Sequence, residues 1–359
     1  MNLSSLKASQ AVVLGLSLAA SGQAFGVDYR QIISLNELHP TASSNTSITG
    51  VTEIGGEFLF TISGPVFGDS LIVLGDGSNI LVDSLDYANA SGEPTQGFDL
   101  GQAALGLGNP AIIADRRSDA VYSLNLSTGA LTSLASNADL NIATTGTSAN
   151  LTEQAIDPDG NIVVYETNMS NDSLLLITPG GAISELASAS ELTTNVGNNT
   201  LNGFTISPTE KKLFFGDDGS DNIYSLDYSG ASNDYEIILT EAQIIAVTGR
   251  SDVRVDKMLY APDGLIYFYE DGADSIYSFD PDNAPGTLSL VISDSDLIAG
   301  PAENDIVGGL TWVNGNIGWW YFINRNGEGT GLYAIPEPTS LAIFGVGAML
   351  LGTRRRQSR

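Results

Sequence analysis

Short apolar runs rich in Ile, Leu, Val, Tyr and Phe alternate with turns of Gly, Asp, Asn and Ser through most of the chain. One phrase recurs. An apolar strand leads into an acidic or Gly-rich turn, then Asp-x-apolar-Tyr-Ser-apolar. It is clearest in "LFFGDDGSDNIYSLDY" (213–228) and "LIYFYEDGADSIYSFDP" (265–281). "AIIADRRSDAVYSLNL" (111–126) follows the same plan. "IVVYETNMSNDSLLLIT" (162–178) and "FLFTISGPVFGDSLIVL" (58–74) keep the turn and second strand, and "WWYFINRNGEGTGLYAI" (319–335) is the most divergent. With Ile72, Tyr122, Leu175, Tyr224, Tyr277 and Tyr333 as markers, the steps are 50, 53, 49, 53 and 56 residues. A fixed period of this length indicates a repeat architecture.

Each period holds two further strands. One precedes the phrase and ends in a tight turn, as in "TEQAIDPDGN" and "DKMLYAPDGL"; Asp-Gly and Asn-Gly favour hairpins. The other follows it, as in "GALTSLAS", "GAISELAS", "YEIILT" and "TLSLVIS". Four short strands per ~50 residues, repeated, point to a β-propeller. After the fourth strand, Ser136-x-x-Asp139, Ser188-x-x-Glu191, Thr240-x-x-Gln243 and Ser293-x-x-Asp296 resemble capping boxes, each starting one helical turn. "YRQIISLNEL" (29–38) matches a fourth strand with its cap, and the sixth copy stops after its third strand at Ile335. The fold expected is therefore all-β: a six-bladed propeller of four-stranded blades, the last closed by the N-terminal strand. Seven blades with one unrecognised, or open sheets, are the alternatives.

The two ends read differently. "MNLSSLKASQAVVLGLSLAASGQAFG" has Lys7, an apolar run from Ala11 to Ala20, and small residues ending at Ala24. That is the layout of a secretory signal helix, cut after Ala24. At the other end, Pro336, Glu337 and Pro338 precede an apolar run from Leu341 to Gly352, then Arg354, Arg355 and Arg356. This run is short for a span, which needs ~20 helical residues, and the arginines belong on the cytoplasmic side. The expected domains are a signal peptide (1–24), the propeller (25–335) and a C-terminal segment (336–359) with a short transmembrane helix. These three parts resemble the PEP-CTERM sorting signal. The resemblance implies cleavage near Pro336–Pro338 by an exosortase-type membrane peptidase, after transient residence in the inner membrane. It also implies a bacterial envelope that makes exopolysaccharide, with the protein released or attached at the cell surface. A plain tail anchor is the alternative.

Charge narrows the partners. The chain has 14 Lys and Arg against 42 Asp and Glu. Setting aside Lys7 and the four C-terminal arginines leaves nine basic residues; setting aside Glu337 leaves 41 acidic ones. An interior near −32 by that count repels nucleic acid and anionic lipid and suits cations or polyhydroxyl partners. There is no cysteine, and the single histidine, His39, lies in the turn-like "NELHPTAS". Thiolate nucleophiles and histidine-dependent triads are thereby set aside. No G-x-S-x-G elbow or phosphate loop occurs.

Two places carry candidate chemistry. The turns between second and third strands hold Asp115, Glu166, Asp217, Asp218, Glu270 and Asp271. They read as solvated turn carboxylates, or as oxygen ligands for Ca²⁺ at the rim. "NGFTISPTEKKLFFGDD" (202–218) and "DKMLYAPDGLIYF" (256–268) resemble the gluconolactonase and senescence-marker lactonase family. In that family, Asn or Asp six residues before the hairpin Pro position ligates a divalent metal in the channel. The matching residues are Asn202 (before Pro208) and Asp256 (before Pro262). Thr152 (before Pro158) and Ile48 stand at the other two aligned positions, and Glu153 adjoins Thr152. The repeats equally resemble NHL-type propellers, which mostly bind. Trp312, Trp319 and Trp320 read as core of the last blade, with sugar stacking as the alternative. Two functions follow: a binding or matrix module for exopolysaccharide or an envelope protein, or a divalent-metal-dependent lactonase-type hydrolase.

Overall fold

A computed structural model describes residues 30–34, 47–54, 57–63, 70–75, 77–82, 86, 89–90, 104–105, 110–115, 118–144, 151–167, 172–251, 253–298, 307–313, 315–321 and 331–335. The expected signal helix, Ala24, His39, the Pro-Glu-Pro and arginine residues, and the apolar run 341–352 lie outside them. Among the described residues, no helix is long and apolar enough to cross a membrane.

After β1 (Arg30–Ser34) the chain lays down one sheet after another. The first holds β2 (Ser47–Ile54), β3 (Glu57–Ser63), β4 (Ser70–Gly75) and β5 (Gly77–Val82). The second holds β6 (Ala104–Leu105), β7 (Pro110–Asp115), β8 (Ala120–Asn125) and β9 (Ala130–Ala135). The third runs β10 (Leu151–Ile156), β11 (Ile162–Glu166), β12 (Ser173–Ile177) and β13 (Ile183–Ala187). The fourth runs β14 (Leu201–Ile206), β15 (Lys212–Asp217), β16 (Ile223–Asp227) and β17 (Asp234–Leu239). The fifth comprises β18 (Val255–Tyr260), β19 (Ile266–Glu270), β20 (Ser275–Phe279) and β21 (Ser289–Ile292). The last contains β22 (Val307–Val313), β23 (Asn316–Tyr321) and β24 (Gly331–Ala334), and its outer strand is β1.

Each sheet is an antiparallel meander of four strands. This is the expected propeller, closed by its N-terminal strand: Arg30 pairs with Ala334 and Ser34 with Gly331. The expected count of six full blades needs one correction. Five blades are fully formed, whereas the second sheet has an inner strand of two residues, Ala104–Leu105. The inner strands neighbour one another in ring order, and β22 returns to β2. Full closure leaves no blade with an open side.

Burial explains the apolar runs. β11, β19 and β20 are buried at every position. The middle strands of a blade are covered on both faces by neighbouring blades, so they lose the usual polar alternation. The outer strand β17 differs: its first four residues are exposed or half-buried and its last two are buried. The repeat markers form a cross-strand ladder. Tyr224 stacks on Phe215 at 5.8 Å, Tyr277 on Phe268 at 5.6 Å and Tyr333 on Trp319 at 6.1 Å. Trp319 and Trp320 are both buried. Adjacent residues on a strand face opposite ways, so Trp319 packs with Tyr269 and Ile276 of the fifth blade. Trp320 packs with Ile48 and Phe60 of the first. The pair therefore holds both seams of the last blade.

Helices enter where the capping pattern places them, but three are two turns long: α1 (Asn137–Thr144), α2 (Ala189–Val196) and α3 (Glu241–Thr248). The short α4 (Ala284–Thr287) lies inside the fifth blade, and α5 (Asp294–Ile298) follows it. Thr240 and Gln243 form a reciprocal box, as do Ser136 with Asp139 and Ser293 with Asp296. Ser188 caps α2, but the Glu191 side chain turns away to Asn233 (2.7 Å) and Tyr235 (3.2 Å). Three helices, α1, α3 and α5, are tied to the segment joining the second and third strands of their own blades. Asn137 Nδ2 donates to Asp119 (3.0 Å), Glu241 N to Asn222 (2.8 Å) and Asp294 N to Ser275 Oγ (2.9 Å). Helices and turns thus share one rim.

Candidate functional site

Four of the six rim carboxylates are not solvated. Asp115, Glu166 and Glu270 are fully buried and Asp217 is 3% exposed. Asp115, Asp217 and Glu270 replace water with backbone donors. Asp217 accepts from Ser220 N at 2.7 Å, and Asp115 from Ser118 N at 3.2 Å and from its hydroxyl. Glu270 accepts from Arg254 N (2.7 Å), Gly272 N (3.0 Å) and Ala273 N (2.6 Å). Burial pushes its carboxyl above the ordinary range, while those three donors pull it back. These groups fold the turns. The next residues do face partners: Asp218 accepts from Asn202 Nδ2 at 2.8 Å, and Asp271 pairs with Arg254 at 3.0 Å. Among the described residues, no group of three His, Asp or Glu side chains is placed to hold a metal ion.

At the centre, the inner strands share an irregularity. The register of β2, β10, β14, β18 and β22 shifts after Ile48, Leu151, Asn202, Val255 and Val307 respectively. A bulge bends the strand and re-aims a side chain. Register can be counted from the residues opposite the marker ladder: Val51 pairs with Phe60, Gln154 with Val164, Phe204 with Phe215, Met258 with Phe268, and Leu310 with Trp319. Two positions earlier stand Thr49, Thr152, Asn202, Asp256 and Gly308. Asn202, Asp256 and Thr152 are therefore equivalent, as the hairpin spacing predicts. The first blade is different: Thr49 holds the position, and Ile48 lies one residue off, buried against Trp320. Thr49 Oγ1 donates to Thr61 Oγ1 at 3.0 Å.

One position earlier than the ladder stand Gly50, Glu153, Gly203, Lys257 and Gly309. Three glycines leave space that the two charged side chains use. Gly203, in β14 between β10 and β18, has φ +50°, and a Cβ there would lie 2.1 Å from the Asp256 carbonyl oxygen. At Gly309 a Cβ would meet the Trp320 ring at 2.3 Å. Only glycine satisfies both approaches. Past the bare Gly203, Lys257 Nζ reaches Glu153 Oε1 at 3.6 Å and Asp256 Oδ1 at 3.0 Å. Glu153 Oε2 accepts from Phe204 N at 2.7 Å, which anchors the carboxylate to β14.

These residues line a cavity of about 310 Å³. Its wall includes Thr49, Glu153, Gln154, Asn202, Asp256 and Lys257, with Phe204, Met258, Leu310 and Trp320 as apolar surface. Tyr165 contributes a phenol that donates to Asn199 O (2.8 Å) and accepts from Leu201 N (3.0 Å); burial pushes its pKa up. Asn202 and Asp256 thus both reach the cavity, where the sequence pattern puts them. The Thr152 backbone lies at the equivalent bulge. Glu153 and Lys257 join Asp256 as the charged groups of the site and were not singled out as a pair, because a strict strand period points each away from its bulged neighbour.

The donor set suits a divalent metal poorly. Hard cations take six to eight oxygens at roughly 2.3–2.6 Å. Here one carboxylate oxygen of Asp256 and one of Glu153 face an ammonium, and the Asn202 amide is held to Asp218.

The PEP-CTERM protein-sorting motif matches residues 334–356, starting at the last residue of β24. The motif implies export and exosortase processing, with membrane-anchored transit to the cell surface. A search of curated protein sequences gives no match. Solved structures of similar shape are propellers. A gluconolactonase from Xanthomonas campestris aligns with TM-score 0.55 and 13% identity, over 82% of this chain and 87% of that one. A calcium-binding protein, regucalcin, from Agrobacterium tumefaciens gives 0.53 and 12%, over 84% and 94%. Virginiamycin B lyase from Staphylococcus aureus gives 0.51 and 11%, over 86% and 98%. At such identity the likeness is one of fold.

Proposed function

We propose that this exported propeller is a binding module of the cell surface or extracellular matrix, presenting its central cavity to a polyhydroxylated ligand such as exopolysaccharide. The observation that carries the reading is the state of the ionisable groups in the cavity. Lys257 is paired with Glu153 and Asp256, and the Tyr165 hydroxyl is committed to backbone. Such groups are poor proton carriers but good hydrogen-bonding partners for hydroxyls. Thr49, Gln154 and Asn202 add neutral polar surface beside Phe204 and Trp320. The acidic surface keeps the released protein soluble. The Pro-Glu-Pro cut and loss of the C-terminal segment would leave the propeller intact, because β1 already completes the last blade.

The test is a glycan array probed with the purified protein and with Asn202→Ala. Retention of neutral or acidic polysaccharide that the variant loses supports the reading; no signal on any polysaccharide overturns it. A lactonase reading draws support from the joint placement of Asn202 and Asp256 in the cavity. It requires lactone turnover that chelation and Asn202→Ala both abolish.

A further inference from the structure

One expected metal ligand, Asp256, and the neighbouring Glu153 both face a side chain that is itself a cation. We infer that Lys257 is the resident cation of this cavity, replacing a divalent ion as the group that neutralises Glu153 and Asp256, so that the site works without metal. The inference does not depend on what the cavity binds.

Three observations carry it. First, the ammonium is central to the acidic groups: 3.0 Å from Asp256 Oδ1 and 3.6 Å from Glu153 Oε1, with all three side chains about a quarter to a third exposed. One ammonium thus faces a carboxylate oxygen from each of the two acidic side chains. Second, the arrangement is built by the backbone. The bulges in β10 and β18 turn Glu153 and Lys257 into the cavity beside Asp256, and glycine at position 203 clears the path between them. Third, Glu153 is fixed by Phe204 N, so one of its oxygens remains directed to the lysine. A tethered ammonium has a fixed occupancy, whereas a divalent ion held by so few oxygens would come and go. It also forms hydrogen bonds through three N–H donors and offers no Lewis-acid site. The cavity therefore presents a ligand with one donor cluster flanked by two acceptors.

Calorimetric titration with calcium chloride at 150 mM NaCl tests this on the full chain. Wild type and Glu153→Gln/Asp256→Asn should give the same weak surface isotherm. Lys257→Met uncovers both carboxylates and should add one site at least tenfold tighter, and calcium should raise its melting temperature. Adding Glu153→Gln to Lys257→Met should remove that gain. A stoichiometric wild-type site lost in Glu153→Gln/Asp256→Asn overturns the inference, as does a folded Lys257→Met with no added site. Should Lys257→Met fail to fold, the wild-type comparison alone decides.

Discussion

Gln31 in β1 pairs with Tyr333 in β24, joining the two ends of the propeller in one antiparallel ladder. That ladder puts the first strand outside the last and leaves the sorting motif to begin where β24 ends. Deleting Arg30–Ser34 would expose the β24 edge, a template for pairing with other chains. The truncated protein should melt several degrees lower and form oligomers by size-exclusion chromatography. Ending the chain at Ile335 should move the melting temperature by less than about 2 °C, no more than the effect of roughly 1 kcal/mol in a larger domain. A tail-deleted protein that melts as low as the strand-deleted one would remove the idea that the propeller closes without its tail.

Gly203 keeps β14 and β18 in close contact. Its φ of +50° and the 2.1 Å approach to Asp256 O leave no room for a methyl group. Gly203→Ala meets backbone, which cannot swing aside, so the two strands must part or β14 must lose its bulge. Strain at such a site costs roughly 1–3 kcal/mol. We expect a loss of about 2 kcal/mol or more by chemical denaturation, with weaker ligand retention because Glu153 and Lys257 meet beside this residue. A loss below about 0.5 kcal/mol, within the range of ordinary surface changes, would contradict the close approach.

Asp119 makes stability depend on pH. Burial raises its pKa from 3.8 to about 6; a backbone hydrogen bond from Leu151 opposes the rise and the nearby Asp115 charge adds to it. The folded value lies above the unfolded one, so the fold favours the protonated acid. The stabilisation is complete below pH 3.8 and is lost as pH rises through about 6. One pKa step is worth about 1.4 kcal/mol, so the full effect is roughly 3 kcal/mol at most. Asp119→Asn should therefore stabilise at pH 7, with the gain vanishing at pH 4. Asparagine tolerates the left-handed φ of 49° and can still accept from Asn137. Equal gains at both pH values would show that the charge is not the cause.

Much of this fold is legible from local pattern. The Tyr224, Tyr277 and Tyr333 markers are the rungs of the real ladder, and Ser136, Ser188, Thr240 and Ser293 do start helices. Those features are set by nearest neighbours in sequence. The bulges are not. Placing Ile48 in the channel follows from an unbroken strand, and a one-residue slip sends it to the core and Thr49 inward. The same slip hid Glu153 and Lys257, whose meeting depends on a glycine in a third strand. Burial of Asp115 and Glu270 was equally illegible, since a turn carboxylate looks solvated until the loop that covers it is known.

Glu270 shows what that covering does. Its two oxygens collect three backbone N–H groups, two from its own turn and one from Arg254 at the entry to β18. It thereby ties the entry to β18, the strand that carries Asp256 and Lys257, to the turn after β19. Hydrogen bonds to a charged acceptor are worth roughly 1.5–3 kcal/mol each when a partner is lost. Glu270→Gln turns one acceptor into a donor facing N–H groups and should cost about 2–4 kcal/mol by that scale. Glu270→Asp is a finer probe. The aspartates at the corresponding places, Asp115 and Asp217, serve their own turns through Ser118 N and Ser220 N. The shorter side chain should keep Ala273 N but release Arg254 N, with an intermediate loss of stability. Amide hydrogen exchange reads the difference directly: Arg254 should exchange faster in Glu270→Asp, and both Arg254 and Ala273 faster in Glu270→Gln. Unchanged protection at Arg254 in Glu270→Asp would mean that the carboxylate orders its turn alone and leaves the path to Lys257 to the bulge.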